Sequence, residues 1–143
     1  MGSCVGYFQA IPPRKTLQFY SAKPASDGND TFTFNLLTDS LLASHDDIIS
    51  YATSDRINAP SFVAGATLRA PVGNATSLSA AAISAVLNSG VFTANSAQAF
   101  TATGASGTFI ALNNGIAGFN SATDSIIHLE GFNIGLTNPV VII

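Results

Sequence analysis

The chain has few charged side chains, no tryptophan and only five basic residues. Charged residues make up 9% of its 143 positions, against roughly 25% in an average soluble domain. The net charge is −3, and the basic residues form no basic patch. Because nucleic acid demands clustered Lys and Arg, no nucleic-acid partner is expected. The low charge is common in extracellular and surface proteins, and it equally suits a protomer that buries its surface in a homo-oligomer.

The chain also lacks a second cysteine and any long apolar run. Cys4 stands alone, so an intrachain disulfide is excluded. No apolar run approaches the ~20 residues that span a bilayer, and no transmembrane segment is expected. The first residues lack the charged region and apolar core of a cleaved secretory signal. They also lack the Ser or Thr at position 6 that a myristoylation signal requires.

Acidic residues, although few, are concentrated between residues 27 and 62, which hold six of the eight. The phrase Asp27-Gly28-Asn29-Asp30-Thr31-Phe32 suits an oxygen-rich turn that feeds a strand, because Gly tolerates positive φ and Asp supplies oxygens. Calcium takes about six to eight oxygen ligands, so calcium is the one cofactor that we expect. The candidate ligands are Asp27, Asn29, Asp30, Asp46, Asp47 and Asp55. The alternative is a structural turn in which these side chains cap the backbone.

This segment resembles the end of a haemolysin-type (RTX) calcium-binding repeat array. The family's repeat reads Gly-Gly-x-Gly-x-Asp-x-apolar-x, and its second half stands here as Gly28-Asn29-Asp30-Thr31-Phe32. Asp47-Ile48-Ile49-Ser50-Tyr51 and Asp55-Arg56-Ile57-Asn58 resemble the β-rich cap that follows such arrays in secreted bacterial proteins, with Ser50-Tyr51 in place of Asp-Phe. Residues 77–89, 108–119 and 124–127 resemble the bluetail C-terminal domain of cyanobacterial and other marine secreted proteins.

The resemblance covers residues 27–143 and implies a non-enzymatic C-terminal capping and export module of a secreted RTX-like protein. It implies an extracellular or cell-surface location and type I export machinery as a partner. Under this hypothesis, the apolar end Pro139-Val140-Val141-Ile142-Ile143 is either a final core strand or a tail read by the transporter. The alternative is a self-assembling surface or adhesive protein whose weakly charged faces pair between protomers.

The pattern of apolar residues predicts a single compact, mainly β domain of the β-roll or sandwich type. Residues 1–26 are expected to form an N-terminal edge strand, near Leu17 to Tyr20, or a disordered leader. Residues 36–43 suit two helical turns, and residues 77–89 form one amphipathic helix. Asn113-Asn114-Gly115 indicates a tight hairpin. Strands are expected at 31–36, 47–51, 97–103, 108–112, 125–129 and 140–143, with a short strand or bridge ending at 56–60.

The motifs for catalysis and for other metals are weak. Gly104-Ala105-Ser106-Gly107 lacks the Gly-x-Ser-x-Gly spacing of a nucleophile elbow, so a hydrolase is the less favoured alternative. His45 is expected to be a polar loop residue, and His128 to project from the solvent face of a strand. Zinc is not expected, because no second histidine or cysteine lies at coordinating spacing from His45-Asp46-Asp47. The Phe residues fall at strand positions and are expected to fill the core.

Overall fold

A computed structural model describes residues 28–143 and the strand Thr16–Leu17, and within them the chain is mainly β. These described residues contain ten strands, two short 3₁₀ turns (Leu37–Ser40 and Leu42–Ser44) and one α-helix, α1 (Ala80–Val86). The strands are β1 (Thr16–Leu17), β2 (Thr31–Thr33), β3 (Asp46–Ile49), β4 (Arg56–Asn58), β5 (Ala66–Leu68), β6 (Asn74–Ala75), β7 (Ala97–Ala102), β8 (Gly107–Leu112), β9 (Ser125–Glu130) and β10 (Val140–Ile142). The prediction of a compact, β-rich domain with one helix is confirmed.

The strands form two mixed sheets that are wound as a parallel roll. One sheet has the order β1-β3-β9-β8-β7-β6, and the other has the order β2-β4-β10-β5. β1, β3 and β9 pair in parallel in the first sheet, while β2, β4 and β10 pair in parallel in the second. The chain therefore alternates between the sheets, and each consecutive pair forms one rung of the roll. The rungs are β1–β2, β3–β4 and β9–β10.

An insertion between the second and third rungs, residues 59–124, closes one end of the roll. It adds β8 antiparallel to β9 and β5 antiparallel to β10. Residues that flank β5 then join the two sheets: the Ala64 N–H donates to the Asn95 carbonyl and the Val72 N–H to the Ala99 carbonyl, each at 2.8 Å. We call this side of the roll the closed end. We call the outer edges of β1 and β2 the open end.

The main core lies between the two sheets. Ile48, Ile127 and Leu129 from the first sheet pack in one buried cluster with Ile57 and Ile142 from the second. A second buried cluster covers the other face of the six-stranded sheet, where α1 packs on strands of the closed end. It contains Ala75, Ile83, Leu87, Phe92, Phe100, Ala102, Phe109, Ala111, Phe119 and Ile126. The expectation that phenylalanines fill the core holds at most positions, although Phe62 is half exposed.

The helix is shorter than the predicted 77–89. It starts at Ala80 because the Ser79 hydroxyl accepts a hydrogen bond from the Ala82 N–H, and Ser77 bonds to Ser79 rather than capping a helix itself. It ends at Val86, and Asn88 then forms a local turn by accepting the Gly90 N–H. Side chains that bond their own backbone compete with the helix at both ends.

The predicted hairpin at Asn113-Asn114-Gly115 is wrong. β8 and β9 are antiparallel neighbours, but residues 113–124 connect them. Asn113 is buried and its amide donates to the Phe92 and Thr93 carbonyls, while the Asn114 side chain accepts the Ile116 N–H. These asparagines hold a long connection in place instead of forming a two-residue turn.

Two strands, β5 and β6, were not predicted. β2 stops at Thr33, and the segment 36–43, predicted as two helical turns, lies in the two 3₁₀ turns Leu37–Ser40 and Leu42–Ser44. The C-terminal residues form β10, which lies between β4 and β5 with Val140 and Ile142 buried, so this segment is a core strand. At the N-terminus, Thr16–Leu17 form the edge strand β1. The rest of the predicted segment near Leu17 to Tyr20 lies outside the described residues.

Candidate functional site

Two histidines and an aspartate meet on the outer face of the six-stranded sheet. His45 ends the second 3₁₀ turn, Asp47 lies on β3, and His128 lies on β9 directly opposite Asp47 in the parallel register. Their nearest ligand atoms all lie within 4.8 Å of one another. Asp47 Oδ1 is 2.8 Å from His128 Nδ1 and 3.5 Å from His45 Nε2. We call these three residues the His–Asp cluster.

Backbone carbonyls hold the outward nitrogen of each ring. His45 Nδ1 lies 3.1 Å from the Leu42 carbonyl oxygen, and His128 Nε2 lies 2.8 Å from the Ser106 carbonyl oxygen. A carbonyl only accepts hydrogen bonds, so these two nitrogens carry the hydrogen. His128 Nδ1 lies at hydrogen-bond distance from Asp47 Oδ1, and a carboxylate also only accepts, so a hydrogen on Nδ1 makes this bond. His45 Nε2 faces the same carboxylate oxygen at 3.5 Å.

Aromatic packing fixes the ring of His128. It stacks on Phe109, with ring centroids 4.3 Å apart and planes 9° from parallel, and His45 meets Phe109 edge-on. The side chains of His45 and His128 are only 16% and 12% exposed, whereas that of Asp47 is 35% exposed. The cluster is thus rigid on its protein side and reachable by solvent through Asp47.

A His–Asp pair next to a serine superficially resembles a hydrolase triad. However, His128 Nε2 faces the backbone carbonyl of Ser106 and donates to it. A general base needs a free lone pair on that nitrogen to take the proton of a serine hydroxyl. This geometry does not favour nucleophilic hydrolysis, in agreement with the weak motif at residues 104–107.

The sequence reasoning missed this cluster. It placed His45 in a polar loop and His128 on a solvent face, and it dismissed zinc because the second histidine was far away in sequence. His128 does lie on the outer face, but it is largely covered. The parallel pairing of β3 with β9 brings it to Asp47 across 81 positions. Its only sequence signal was the similarity of Asp47-Ile48-Ile49 to Asp124-Ser125-Ile126-Ile127, two segments that lie in or next to the neighbouring strands β3 and β9.

The predicted calcium ligands divide between the two sheets. Asp46 is buried on β3, and Asp47 belongs to the His–Asp cluster. Asn29, Asp30 and Asp55 lie just before β2 and β4 in the other sheet, and Asp27 lies outside the described residues. Within the described part of the chain, the three-residue groups suited to a metal include only the His–Asp cluster, which holds one of the six. Calcium binding by these residues stays a prediction.

Asp55 caps the backbone between two rungs. Its carboxylate accepts the Asp30 N–H at 3.0 Å and the Ala52 N–H at 2.8 Å. Burial raises the pKa of the Asp55 carboxyl, although these two donors oppose the shift. Burial also raises the pKa of the nearby Tyr51 hydroxyl, which donates to the Asp55 carbonyl. This is the capping role that the sequence offered as the alternative to calcium.

Asp30 occupies the position of Asp55 one rung nearer the open end. The register pairs Thr31 with Arg56, so the two aspartates precede equivalent positions on neighbouring strands. Asp30 is buried, and its N–H donates to the Asp55 carboxylate, so the two residues are in contact. The Asp30 side chain makes no hydrogen bond to another residue of the described chain.

The open end consists of the outer edges of β1 and β2. Each is the terminal strand of its sheet on the same side of the roll. Directly after β2, the Phe34 N–H donates inward to the Asn58 carbonyl. Because N–H groups alternate along a strand, the Thr31 and Thr33 N–H groups point away from β4. Within residues 28–143, no strand pairs with this edge.

Comparison with family models, curated proteins and solved structures finds no match for the chain. In the part of the chain that the structure describes, no helix is both long and apolar enough to cross a bilayer.

Proposed function

We propose that this chain is a non-enzymatic module that caps the C-terminal end of a parallel β-roll in a secreted, RTX-like protein. The observation that carries the proposal is the asymmetry of the roll. Its three parallel rungs end in an antiparallel closure on one side, and both sheets present a parallel edge on the other. A module of this shape continues a parallel roll at one end and terminates it at the other.

The spacing of equivalent residues supports continuation through the open end. Phe32, Ile57 and Ile142 are paired in register and all are buried, so each rung adds one apolar residue to the same core column. Asp55 caps the N–H of Asp30 one rung away. In a longer roll, the Asp30 carboxylate takes the same role toward the rung before it.

The closed end supports termination. Exposed edge strands promote uncontrolled pairing, and proteins blunt them with short strands or covering segments. Here the last strands are β6 with two residues and β5 with three, and residues beside β5 bond across to the neighbouring sheet. No further parallel rung fits on that side without displacing these bonds.

A fusion experiment tests the cap. A block of Gly-Gly-x-Gly-x-Asp-x-apolar-x repeats, which fold on binding calcium, is placed before Met1 of the full chain. We expect the fused block to reach half-maximal folding at a several-fold lower calcium concentration than the block alone, because its last rung gains a paired edge. Far-UV circular dichroism during a calcium titration measures this.

Substitutions on β2 provide the matched control. Thr33→Pro removes an outward N–H and leaves the inward ladder intact, while Thr33→Ala removes the same hydroxyl and its contact with Asn58 but keeps the N–H. We expect Thr33→Ala to retain the shift in calcium midpoint and Thr33→Pro to lose it. Equal midpoints for the block alone and for all three fusions would refute the cap.

The self-assembly alternative rests on the same open end, because edges that lack a partner can pair between copies. Light scattering after size exclusion separates the two. Under the cap hypothesis the isolated chain is a monomer, whereas dimers or larger species that Thr33→Pro disrupts would favour assembly.

Export by type I machinery stays a prediction of the resemblance. The test is secretion from a host with such a transporter, with and without residues 138–143; because β10 is a core strand, folding of the truncated chain must be checked first.

A further inference from the structure

We propose that His45, Asp47 and His128 form a binding site for a divalent transition-metal ion, with Zn²⁺ as the expected ion. This site is independent of the cap. It is also distinct from the oxygen-rich calcium chemistry that the acidic segment suggested, because two of its three ligands are imidazole nitrogens. Imidazole suits zinc and its neighbours in the first transition row, whereas calcium takes oxygen ligands.

The hydrogen bonds of the two histidine rings place three possible metal ligands at the centre of the cluster. The outward nitrogens of both rings donate to the Leu42 and Ser106 carbonyls. The inward atoms are His45 Nε2, His128 Nδ1 and Asp47 Oδ1, and a hydrogen on His128 Nδ1 bonds it to Asp47. A metal ion can replace this hydrogen, because metal binding releases the protons of its ligands, and all three inward atoms can then bind the ion.

The two distances from Asp47 are close to those of a tetrahedral metal site. Zn–N and Zn–O bonds of about 2.0–2.2 Å in tetrahedral geometry separate two ligand atoms by about 3.4 Å. Asp47 Oδ1 is already 3.5 Å from His45 Nε2, and its 2.8 Å separation from His128 Nδ1 has to widen by about 0.6 Å. Rotation of the partly exposed Asp47 side chain supplies this change. The ligand atoms all lie within 4.8 Å of one another, so the two ring nitrogens approach each other by at most about 1.4 Å to reach the same spacing.

The surroundings match those of built metal sites. Histidine ligands commonly donate their second N–H to a carbonyl or carboxylate, which fixes the tautomer and the ring orientation. Both histidines do so here, and Phe109 packs against the ring of His128. Three protein ligands leave the fourth position of a tetrahedral ion open, toward the solvent side where Asp47 is exposed.

Metal titration of the full chain tests the site. His45 and His128 are the only histidines, so histidine-dependent binding reports on this cluster alone. The background is Cys4→Ser, which removes the single thiol. After treatment with chelator, we expect one Zn²⁺ per chain by competition with a chromogenic chelator. We also expect bound Co²⁺ to give the strong visible absorption of a four-coordinate site. Millimolar Ca²⁺ is expected to leave zinc binding unchanged.

Variants separate the cluster from adventitious binding. His128→Gln and Asp47→Asn are each expected to weaken Zn²⁺ binding by at least about 100-fold, because even outer-shell changes cost 10–100-fold. Glu130→Gln is the matched control, since Glu130 is an exposed acid on the same strand as His128. If His128→Gln does not fold by circular dichroism, His45→Gln replaces it. Absence of stoichiometric Zn²⁺ binding, competition by Ca²⁺, or equal affinity in His128→Gln and Glu130→Gln would overturn the proposal.

Discussion

The two ends of the roll solve the same problem, a sheet edge, in opposite ways. At the open end, β1 pairs with β3 through two residues and β2 pairs with β4 through three. At the closed end, β8 pairs with β9 through six residues, and a second core and α1 cover the outer face of the sheet. The comparison teaches that the insertion gives the closed end longer strand pairing and a second core, which the open end lacks among the described residues. The rungs near the open end keep a geometry that another strand can extend.

Replacing one buried phenylalanine at each end with alanine tests the difference between the ends and is expected to give the largest effect on stability. Phe109 on β8 is fully buried and stacks on Phe100, with ring centroids 5.3 Å apart. Phe109→Ala is expected to lower the free energy of unfolding by about 3–5 kcal/mol. Phe32→Ala, on the edge strand β2, is expected to cost less, because an edge can relax into the cavity. Urea denaturation measures both, and equal losses would contradict the difference between the ends.

A pair of glycines sharpens the comparison within the closed end. Gly107 has φ +101°, and a Cβ there would lie 2.2 Å from the Leu129 carbonyl oxygen. Gly104 has φ +85°, but no atom lies within 4 Å of its added Cβ. Gly104→Ala is expected to cost about 1–2 kcal/mol from backbone strain. Gly107→Ala is expected to lower the free energy of unfolding by about 1–3 kcal/mol more than Gly104→Ala does, because its Cβ is overpacked.

The Gly107 contact also bears on the His–Asp cluster, because the preceding Ser106 carbonyl accepts from His128. Gly107→Ala is therefore expected to weaken zinc binding as well as stability, while Gly104→Ala affects stability alone. Thermal unfolding with and without zinc separates these effects. Zinc affinity that is equal in the two variants would show that the Ser106 carbonyl does not orient His128.

Buried carboxyls at the two ends give the smallest expected effect. Asp124, in the connection before β9, accepts the Asn114 and Asn120 N–H groups, and Asp55 caps the backbone near the open end. Burial raises the pKa of both carboxyls above the ordinary value. The native state therefore takes up these protons at a higher pH than the unfolded chain does. The stabilisation is complete below the ordinary pKa of about 3.9 and is lost as pH rises through the raised native value.

The matching measurement is chemical denaturation of wild type and Asp124→Asn at pH 4 and pH 7. Asparagine does not titrate, so the excess stability of wild type over the variant is expected to be larger at pH 4. The same comparison with Asp55→Asn tests the open end. An excess that instead grows toward pH 7 would mean that the backbone donors outweigh burial.

Local patterns allowed much of the fold to be predicted. Period-two alternation predicted β7 to β10 within about two residues at each end, and the apolar stripe found the helix near Ile83. The predictions of the helix start and of the hairpin were wrong because polar side chains there have several possible hydrogen-bond partners nearby. Ser79, inside the predicted helix 77–89, caps the observed helix, and the Asn113 amide donates to the Phe92 carbonyl instead of forming a hairpin turn. Such choices depend on which backbone groups the tertiary fold brings near.

The sequence by itself determined that the chain is mainly β, with a phenylalanine-rich core, one helix and an acidic segment at the strand entries, because these follow from alternation and composition. Only the tertiary structure decided the order of strands in the roll, since parallel pairs such as β3 with β9 join segments far apart along the chain. The same pairing set Asp47 beside His128 and divided the acidic residues between two sheets. Ligands that come from strands distant in sequence have no fixed spacing that a sequence motif could show. The His–Asp cluster was therefore found only in the folded structure.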